Sequence, residues 1–164
     1  DNKEFKTIAE PLFVVLREAV KLEGFQPNPQ WIKNRLNLID VSAEEIRYAY
    51  EILIELGLLK RMGTRLVQTE AHYKTPSDQQ SEALRSFYEH SLDLNKKAIR
   101  KISSEERHFN SITLTCNPED VVEMKLMIHE FSRRLMEKFD RPTGKKVIQL
   151  HTQLVPQVEI KYEE

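Results

Sequence analysis

Cysteine, glycine and long apolar runs are scarce in this chain, and each scarcity excludes a class of protein. The single cysteine, Cys116, excludes an intrachain disulfide and a thiolate metal cluster. The four glycines, Gly24, Gly57, Gly63 and Gly144, are isolated, so no glycine-rich loop is present to cradle a phosphate. No apolar run is long enough to cross a membrane, and no signal-peptide pattern opens the chain. We therefore expect a cytoplasmic protein that does not bind membranes.

An excess of either charge is also lacking. The 164 residues carry 25 Lys and Arg against 26 Asp and Glu, which gives a net charge of −1. Residues 1–72 contain 10 basic and 11 acidic groups, and residues 73–164 contain 15 of each. Neither half is therefore a basic module of the kind that advertises nucleic-acid binding. With 40% apolar residues, the composition is that of a globular protein with a core.

Residues 28–69 contain the element order of a winged helix. Asn28 and Pro29 predict the start of a short helix, because proline is tolerated at the first helical position. Ser42 and Glu45 have the spacing of a capping box, which opens a second helix. Two short strands around a turn at Gly63 are predicted to follow. We expect residues 1–72 to form a winged-helix-like domain.

The charges of this region decide between two functions. The second helix of a DNA-binding winged helix approaches phosphates, yet residues 43–56 carry four glutamates and one arginine, a sum of −3. The predicted hairpin supplies the candidates for contacts to a nucleic-acid backbone, Lys60, Arg61 and Arg65. The acidic helix favours a scaffold for packing or protein contact, with weak or no DNA binding by this chain alone. Backbone contact through the wing is the alternative.

Two helical patterns lie outside this region. The apolar spacing from Phe5 to Leu22 predicts a helix that starts or kinks at Pro11. A long helix is predicted from Asp78 to Ile102, with a near-heptad apolar seam.

The remaining pattern completes an α-β-α-β block over residues 73–164, and the whole chain is therefore expected to be α+β. Residues 109–116 and 147–155 alternate apolar and polar side chains. A helix is predicted between them, with Asn117 as its N-cap, Pro118 at its first position and its end near Phe139. A strand, a helix and a second strand favour a parallel sheet, in which Leu114 and Leu150 are expected in the core.

Two strands make a marginal sheet, so something must complete it. A further strand, the long helix or a second copy of the chain would do so. The long helix also carries a second apolar edge, which either covers the sheet and the first domain or pairs with a partner helix. We favour a homodimer, with Tyr88, Leu92 and Ile99 as its contact residues.

No catalytic pattern in the sequence is complete. His129 and Glu130 begin like the zinc-protease helix, but Arg133 stands where the second histidine is required. Cys116 and His151 fall on opposite faces of the predicted strands, which favours a buried, inert cysteine. We therefore expect no catalytic residue, cofactor-binding residue, cofactor or metal ligand. An enzyme of unknown class ranks behind both other functions.

Most of the chain resembles a family of uncharacterised bacterial proteins. The segments Arg107–Leu114, Asn117–Asp120 and Val147–Pro156 look like the C-terminal half of that family, and Glu44, Glu45, Leu53 and Leu56–Leu59 match its middle. Its members pair an N-terminal repressor-like helix-turn-helix, which has no counterpart here, with a C-terminal domain of unknown function. The resemblance implies a regulatory context and supplies no binding residues. The expected function is a non-enzymatic regulatory, protein-interaction or dimerisation module of a bacterial regulator.

Overall fold

The computed structural model of the chain describes residues 2–71 and 77–160. Its helices and strands follow in the order α1 Asn2–Ala9, α2 Pro11–Ala19, α3 Pro29–Lys33, α4 Ala43–Glu55, β1 Leu59–Met62, β2 Arg65–Gln68, α5 Ser77–Lys101 and α6 Asp120–Phe139. The architecture is mixed helical with a small antiparallel sheet, which is compatible with the expected α+β class. No helix in the described ranges is long and apolar enough to span a membrane.

Proline 11 divides the first helical segment in two, as predicted. α1 ends at Ala9, Glu10 adopts extended backbone angles, and α2 restarts at Pro11. Because proline has no N–H, it fits the first position of α2 but not the interior of a continuous helix.

The predicted helix starts and stops in the middle of the chain are also confirmed. The Asn28 side chain accepts a hydrogen bond from the N–H of Gln30 at 2.9 Å and caps α3. At the start of α4, Ser42 Oγ accepts from the Glu45 N–H at 3.1 Å, and the Glu45 carboxylate accepts from the Ser42 N–H at 2.7 Å. Gly57, with a φ of 72°, follows the end of α4.

The hairpin forms at the predicted place, with Gly63 at a positive φ of 61° in its turn. Leu59 and Leu66 are buried on one face of the hairpin, against the helices. Arg17 anchors the chain that leaves β2, because its Nη2 donates to the carbonyl oxygens of Thr69 and Ala71 at 3.1 and 3.2 Å.

The first compact unit extends to Phe109 and includes Thr143–Val147. Its core is a set of buried apolar side chains from α2, α3, α4 and the hairpin, which includes Phe13, Leu16, Ile32, Ile46, Ile52, Leu53, Leu58 and Leu59. α5 belongs to the same unit, where Ala83 is buried with Ile8 and Ala9 of α1. The predicted division into domains of residues 1–72 and 73–164 concerns which parts of the chain fold independently, and it stays a prediction.

The second compact unit, Asn110–Pro142 and the residues from Ile148 onward, corrects the α-β-α-β prediction. α6 ends at Phe139 as predicted but begins at Asp120, two residues after the predicted Pro118, and residues 109–116 and 147–155 form no strand among the described residues. Leu114 and Leu150, predicted to be in a core, are each 55% exposed. Cys116 is exposed as well, and the prediction of a buried cysteine is therefore wrong.

These segments form no strand because an alternating pattern determines which side chains share a face but supplies no hydrogen-bonding partner for the backbone. A strand persists only when its N–H and C=O groups pair with a neighbouring strand. In the described part of this chain, no backbone ladder joins residues 110–116 to residues 148–155.

Candidate functional site

The three basic side chains predicted for the wing do not share one face. In the antiparallel register, Lys60 stands opposite Val67, Arg61 opposite Leu66, and Met62 opposite Arg65. Since cross-strand partners share a face and neighbours along a strand do not, Lys60 and Arg65 lie on one face and Arg61 on the other. All three are exposed, and within the described ranges none of them forms an ion pair.

The acidic residues of α4 have internal partners. Arg47 pairs with Glu44 and lies 3.7 Å from a Glu51 carboxylate oxygen. Hydrogen bonding to Arg47 lowers the pKa of Glu44 below its usual range. At the end of α4, the Lys3 ammonium lies 2.7 Å from the Glu55 carboxylate. With four glutamates against one arginine in residues 43–56, this helix presents an acidic surface beside the basic hairpin.

Arg35, another basic residue near the predicted wing, is held close to α3. Its guanidinium lies 3.9 Å from the centre of the Trp31 ring, and its Nη1 donates to the Trp31 carbonyl at 2.8 Å. A side chain that stacks on its own neighbour in this way is preorganised but already engaged.

The dimer contacts predicted on α5 form an exposed stripe. Tyr88, Leu92 and Ile99 are 57%, 48% and 50% exposed, and their spacing places them on one side of the helix. Ala83, on the side opposite this stripe, and Ser91 and Ala98, on an adjoining side, are buried. The buried side of α5 therefore packs within the first unit, and the stripe of Tyr88, Leu92 and Ile99 remains exposed.

The second unit leaves most of its apolar side chains in solvent. No residue of α6 is buried. The exposed large apolar residues of the second unit are Ile112, Leu114, Val122, Leu126, Met127, Phe131, Met136, Phe139, Ile148, Leu150, Leu154, Val155, Val158 and Ile160. In proteins generally, large contiguous patches of exposed apolar surface are typical of interaction sites.

Glu130, which follows His129 on α6, is part of a surface ion network. Glu130 accepts hydrogen bonds from Arg133 at 2.7 and 2.9 Å and from Arg134 at 2.8 Å. These bonds hold the pKa of Glu130 at about 2. Burial lowers the pKa of His151. No group of three or more potential metal ligands occurs in the part of the chain that the structure describes.

A cleft in the first unit was missed by the sequence reasoning. It has a volume of about 390 Å³ and lies at the α1–α2 break, next to α4, α5 and residues 39–41. Apolar side chains of α2 and α4 form its floor. Its polar lining consists of Lys6, Glu10, Glu45, Tyr48, His90 and Asp93. These residues come from three helices and from the α1–α2 break, so no local sequence motif unites them.

The chain belongs to a protein family described as a domain of unknown function, DUF4423, whose profile matches residues 1–156. The match runs across both compact units. Neither a curated protein nor a solved structure gives a significant match.

Proposed function

We propose that this chain is a non-enzymatic regulatory module of a bacterial cytoplasmic protein, and that it works as a homodimer. The observation that carries the proposal is the exposed apolar surface of the second unit, together with the Tyr88, Leu92 and Ile99 stripe of α5. Exposing this much apolar surface to water is costly, and covering it is the main driving force of protein association.

A second copy of the chain is the partner that these features favour. Residues 110–116 alternate apolar and polar side chains and have backbone groups suited to pairing, and the same segment of another copy presents the same pattern. A two-fold axis would pair two such segments antiparallel, so that each patch contacts itself.

The charges of α6 also suit antiparallel pairing of two copies. The helix start carries Glu119, Asp120 and Glu123, whereas its second half carries Arg133, Arg134 and Lys138 against Glu130 and Glu137, a sum of +1. Two antiparallel α6 helices would bring the acidic start of each beside the basic end of the other. The net charge of −1 gives little repulsion between copies.

The winged-helix-like arrangement supports the regulatory part of the proposal. Helix α3, helix α4 and the hairpin follow one another as in a winged helix. The acidic α4 favours protein contact over duplex binding. The alternative function, contact with a DNA backbone through Lys60 and Arg65, is favoured by their common exposed face and by their lack of ion pairs in the described chain.

Sedimentation equilibrium at several concentrations tests the homodimer. We expect a mass near twice 19.4 kDa in the micromolar range, and a mass of 19.4 kDa throughout refutes the proposal. Leu92→Glu is expected to shift the dimer toward monomer, since an unpaired carboxylate would enter an apolar contact.

A pair of neighbouring variants tests the strand pairing. Leu114→Glu places a charge on the apolar side of residues 110–116, whereas Thr113→Glu places it on the polar side. We expect Leu114→Glu to weaken the dimer more than Thr113→Glu. Equal effects would contradict pairing through this segment, and an unchanged dimer in Leu92→Glu would place the interface away from α5.

A further inference from the structure

The exposed stripe of α5 continues as a heptad pattern. Tyr88, Leu92 and Ile99 are exposed, and Asn95, which fills the position between Leu92 and Ile99, is half-buried. The intervals from Tyr88 to Ile99 are four, three and four residues, the spacing of the contact positions in a coiled coil. This side of α5 therefore has the pattern with which one helix packs along another.

The packing of α5 within the first unit uses other sides of the helix. The buried residues Ala83, Ser91 and Ala98 lie on the side opposite the stripe and on an adjoining side. Ala83 is buried with Ile8 and Ala9 of α1. A helix that packs along the stripe therefore contacts a different side of α5 from the one that α1 covers.

The charges of α5 change sign along its length and favour one orientation of such a partner. Residues 82–93 sum to −2, and residues 94–101, which contain four basic and no acidic residues, sum to +4. Two parallel copies of α5 would place the two basic segments side by side. Antiparallel copies place each basic segment beside the acidic segment of the other, which is the complementary arrangement.

The antiparallel arrangement has a register in which two charged residues beside the stripe meet. When Tyr88 lies opposite the partner's Ile99, Glu89 and the partner's Lys96 flank the contact on the same side. Each of the two follows a contact residue directly, since Glu89 comes after Tyr88 and Lys96 after Asn95. Neither Glu89 nor Lys96 has an ion pair or hydrogen bond within the part of the chain that the structure describes.

The same register places Leu92 opposite the partner's Asn95. One polar residue among the apolar contact residues of a coiled coil lowers stability but fixes the register and the number of helices. Asn95 thus favours a single arrangement of two helices over a set of shifted ones.

We propose that α5 pairs with α5 of a second copy of the chain as an antiparallel coiled coil, in which Glu89 binds the partner's Lys96. Two-fold symmetry forms this contact twice. The inference rests on the proposed homodimer and specifies the orientation and register of its α5 contact. It does not depend on the pairing of residues 110–116.

Sedimentation equilibrium of charge-reversed full-length variants tests the ion pair. Lys96→Glu should raise the dissociation constant of the dimer about tenfold, because both Glu89–Lys96 contacts change from attraction to repulsion. Glu89→Lys should have the same effect. The double variant, Glu89→Lys with Lys96→Glu, should return the constant to within about twofold of that of the unaltered protein, because attraction is restored.

Lys97→Glu is the matched control. It makes the same change of charge one residue away, on the side of α5 that faces away from the stripe, and should raise the dissociation constant by less than about twofold. An effect of Lys97→Glu as large as that of Lys96→Glu would overturn the proposal. A double variant that dimerises no more tightly than the single variants would do the same.

Disulfide cross-linking in full chains that carry Cys116→Ser tests the orientation. We expect a cross-linked dimer when Tyr88→Cys copies are mixed with Ile99→Cys copies and oxidised, and none from either variant alone. Antiparallel pairing brings position 88 of one copy near position 99 of the other, within the short reach of a disulfide. Cross-linking of Tyr88→Cys alone would show a parallel pair, and no cross-link in a mixture that sedimentation shows to be dimeric would exclude this contact.

These outcomes separate the α5 contact from the homodimer itself. A mass of 19.4 kDa at every concentration overturns both. A stable dimer that does not respond to reversal of Glu89 or Lys96 overturns only the α5 contact and leaves the interface to another surface, such as residues 110–116.

Discussion

The Nδ1 atom of His90, in the middle of α5, lies 3.0 Å from the carbonyl oxygen of Ala9, the last residue of α1. In a continuous helix this carbonyl would accept the N–H of Phe13, but the break at Pro11 makes Phe13 donate to Glu10 instead, at 3.2 Å. His90 satisfies a backbone acceptor that the proline leaves unpaired, and the same bond fixes α5 against α1.

His90→Phe tests this role, because phenylalanine keeps a planar ring and has a similar helix propensity but cannot donate. We expect the free energy of unfolding to fall by about 1 kcal/mol, the usual loss when a hydrogen bond is removed and its acceptor stays behind. Urea denaturation followed by circular dichroism measures it. His108→Phe, at an exposed position, is the control, and an equal effect there would contradict the proposed bond.

Replacing Ser91, on the same helix, is expected to change the free energy of unfolding in the opposite direction. Its hydroxyl oxygen is buried and has no hydrogen-bond partner in the part of the chain that the structure describes, and its side chain lies on the α5 face that includes Ala83 and Ala98. Ser91→Ala should therefore raise the free energy of unfolding by about 1 kcal/mol, because an unsatisfied buried polar group is removed. Ser86→Ala, at a half-buried position of α5, isolates the gain from helix propensity alone. A gain no larger at Ser91 than at Ser86 would contradict this explanation.

The local features of the fold were predictable because their causes lie within a few residues. A proline at position 11, an asparagine before Pro29 and the Ser42–Glu45 pair each act on the adjacent turn of backbone, so the helix boundaries follow from the sequence. The sequence also suffices to predict that Lys60 and Arg61 lie on opposite faces of the hairpin, because the side chains of neighbouring residues in a strand point to opposite faces.

The remaining features depend on contacts between distant residues. The segments that contain Leu114 and Leu150 alternate apolar and polar side chains as strands do, but this pattern does not reveal whether a strand to pair with exists within the chain. The cleft could not be predicted because Glu10, Glu45 and Asp93 come from separate elements that only the tertiary fold brings together. Both failures arise from the same limit, namely that sequence pattern specifies faces and not neighbours.

The ion network of α6 predicts a particular pH dependence. Hydrogen bonds from Arg133 and Arg134 lower the pKa of Glu130 from 4.5 to about 2. For a carboxyl group with a depressed pKa, the stabilising contribution is complete above the unfolded pKa and is lost as the pH falls through the folded value. Helix content of α6 should therefore decline between about pH 4.5 and pH 2.

Carboxyl NMR titration measures the midpoint of Glu130 directly. Replacing Arg133 and Arg134 together by alanine should raise this midpoint toward 4.5, because both donors are lost. Lys125→Ala removes a cation from the same helix that does not contact Glu130 and should leave the midpoint unchanged. A midpoint near 4.5 in the unaltered protein would show that the network does not form.

Duplex binding is the last outcome that the charges predict. Residues 43–56 sum to −3 and the whole chain to −1, so we expect affinity for random duplex DNA weaker than about micromolar at low salt, measured by fluorescence anisotropy. Tighter binding with a steep salt dependence would contradict the acidic-scaffold interpretation, because that slope counts displaced counterions. The hairpin register then distinguishes the residues responsible: Lys60→Ala and Arg65→Ala, on one face, should weaken any residual binding together, whereas Arg61→Ala, on the other face, should weaken it less. Equal losses for all three would mean that DNA approaches the hairpin at its turn rather than across one face.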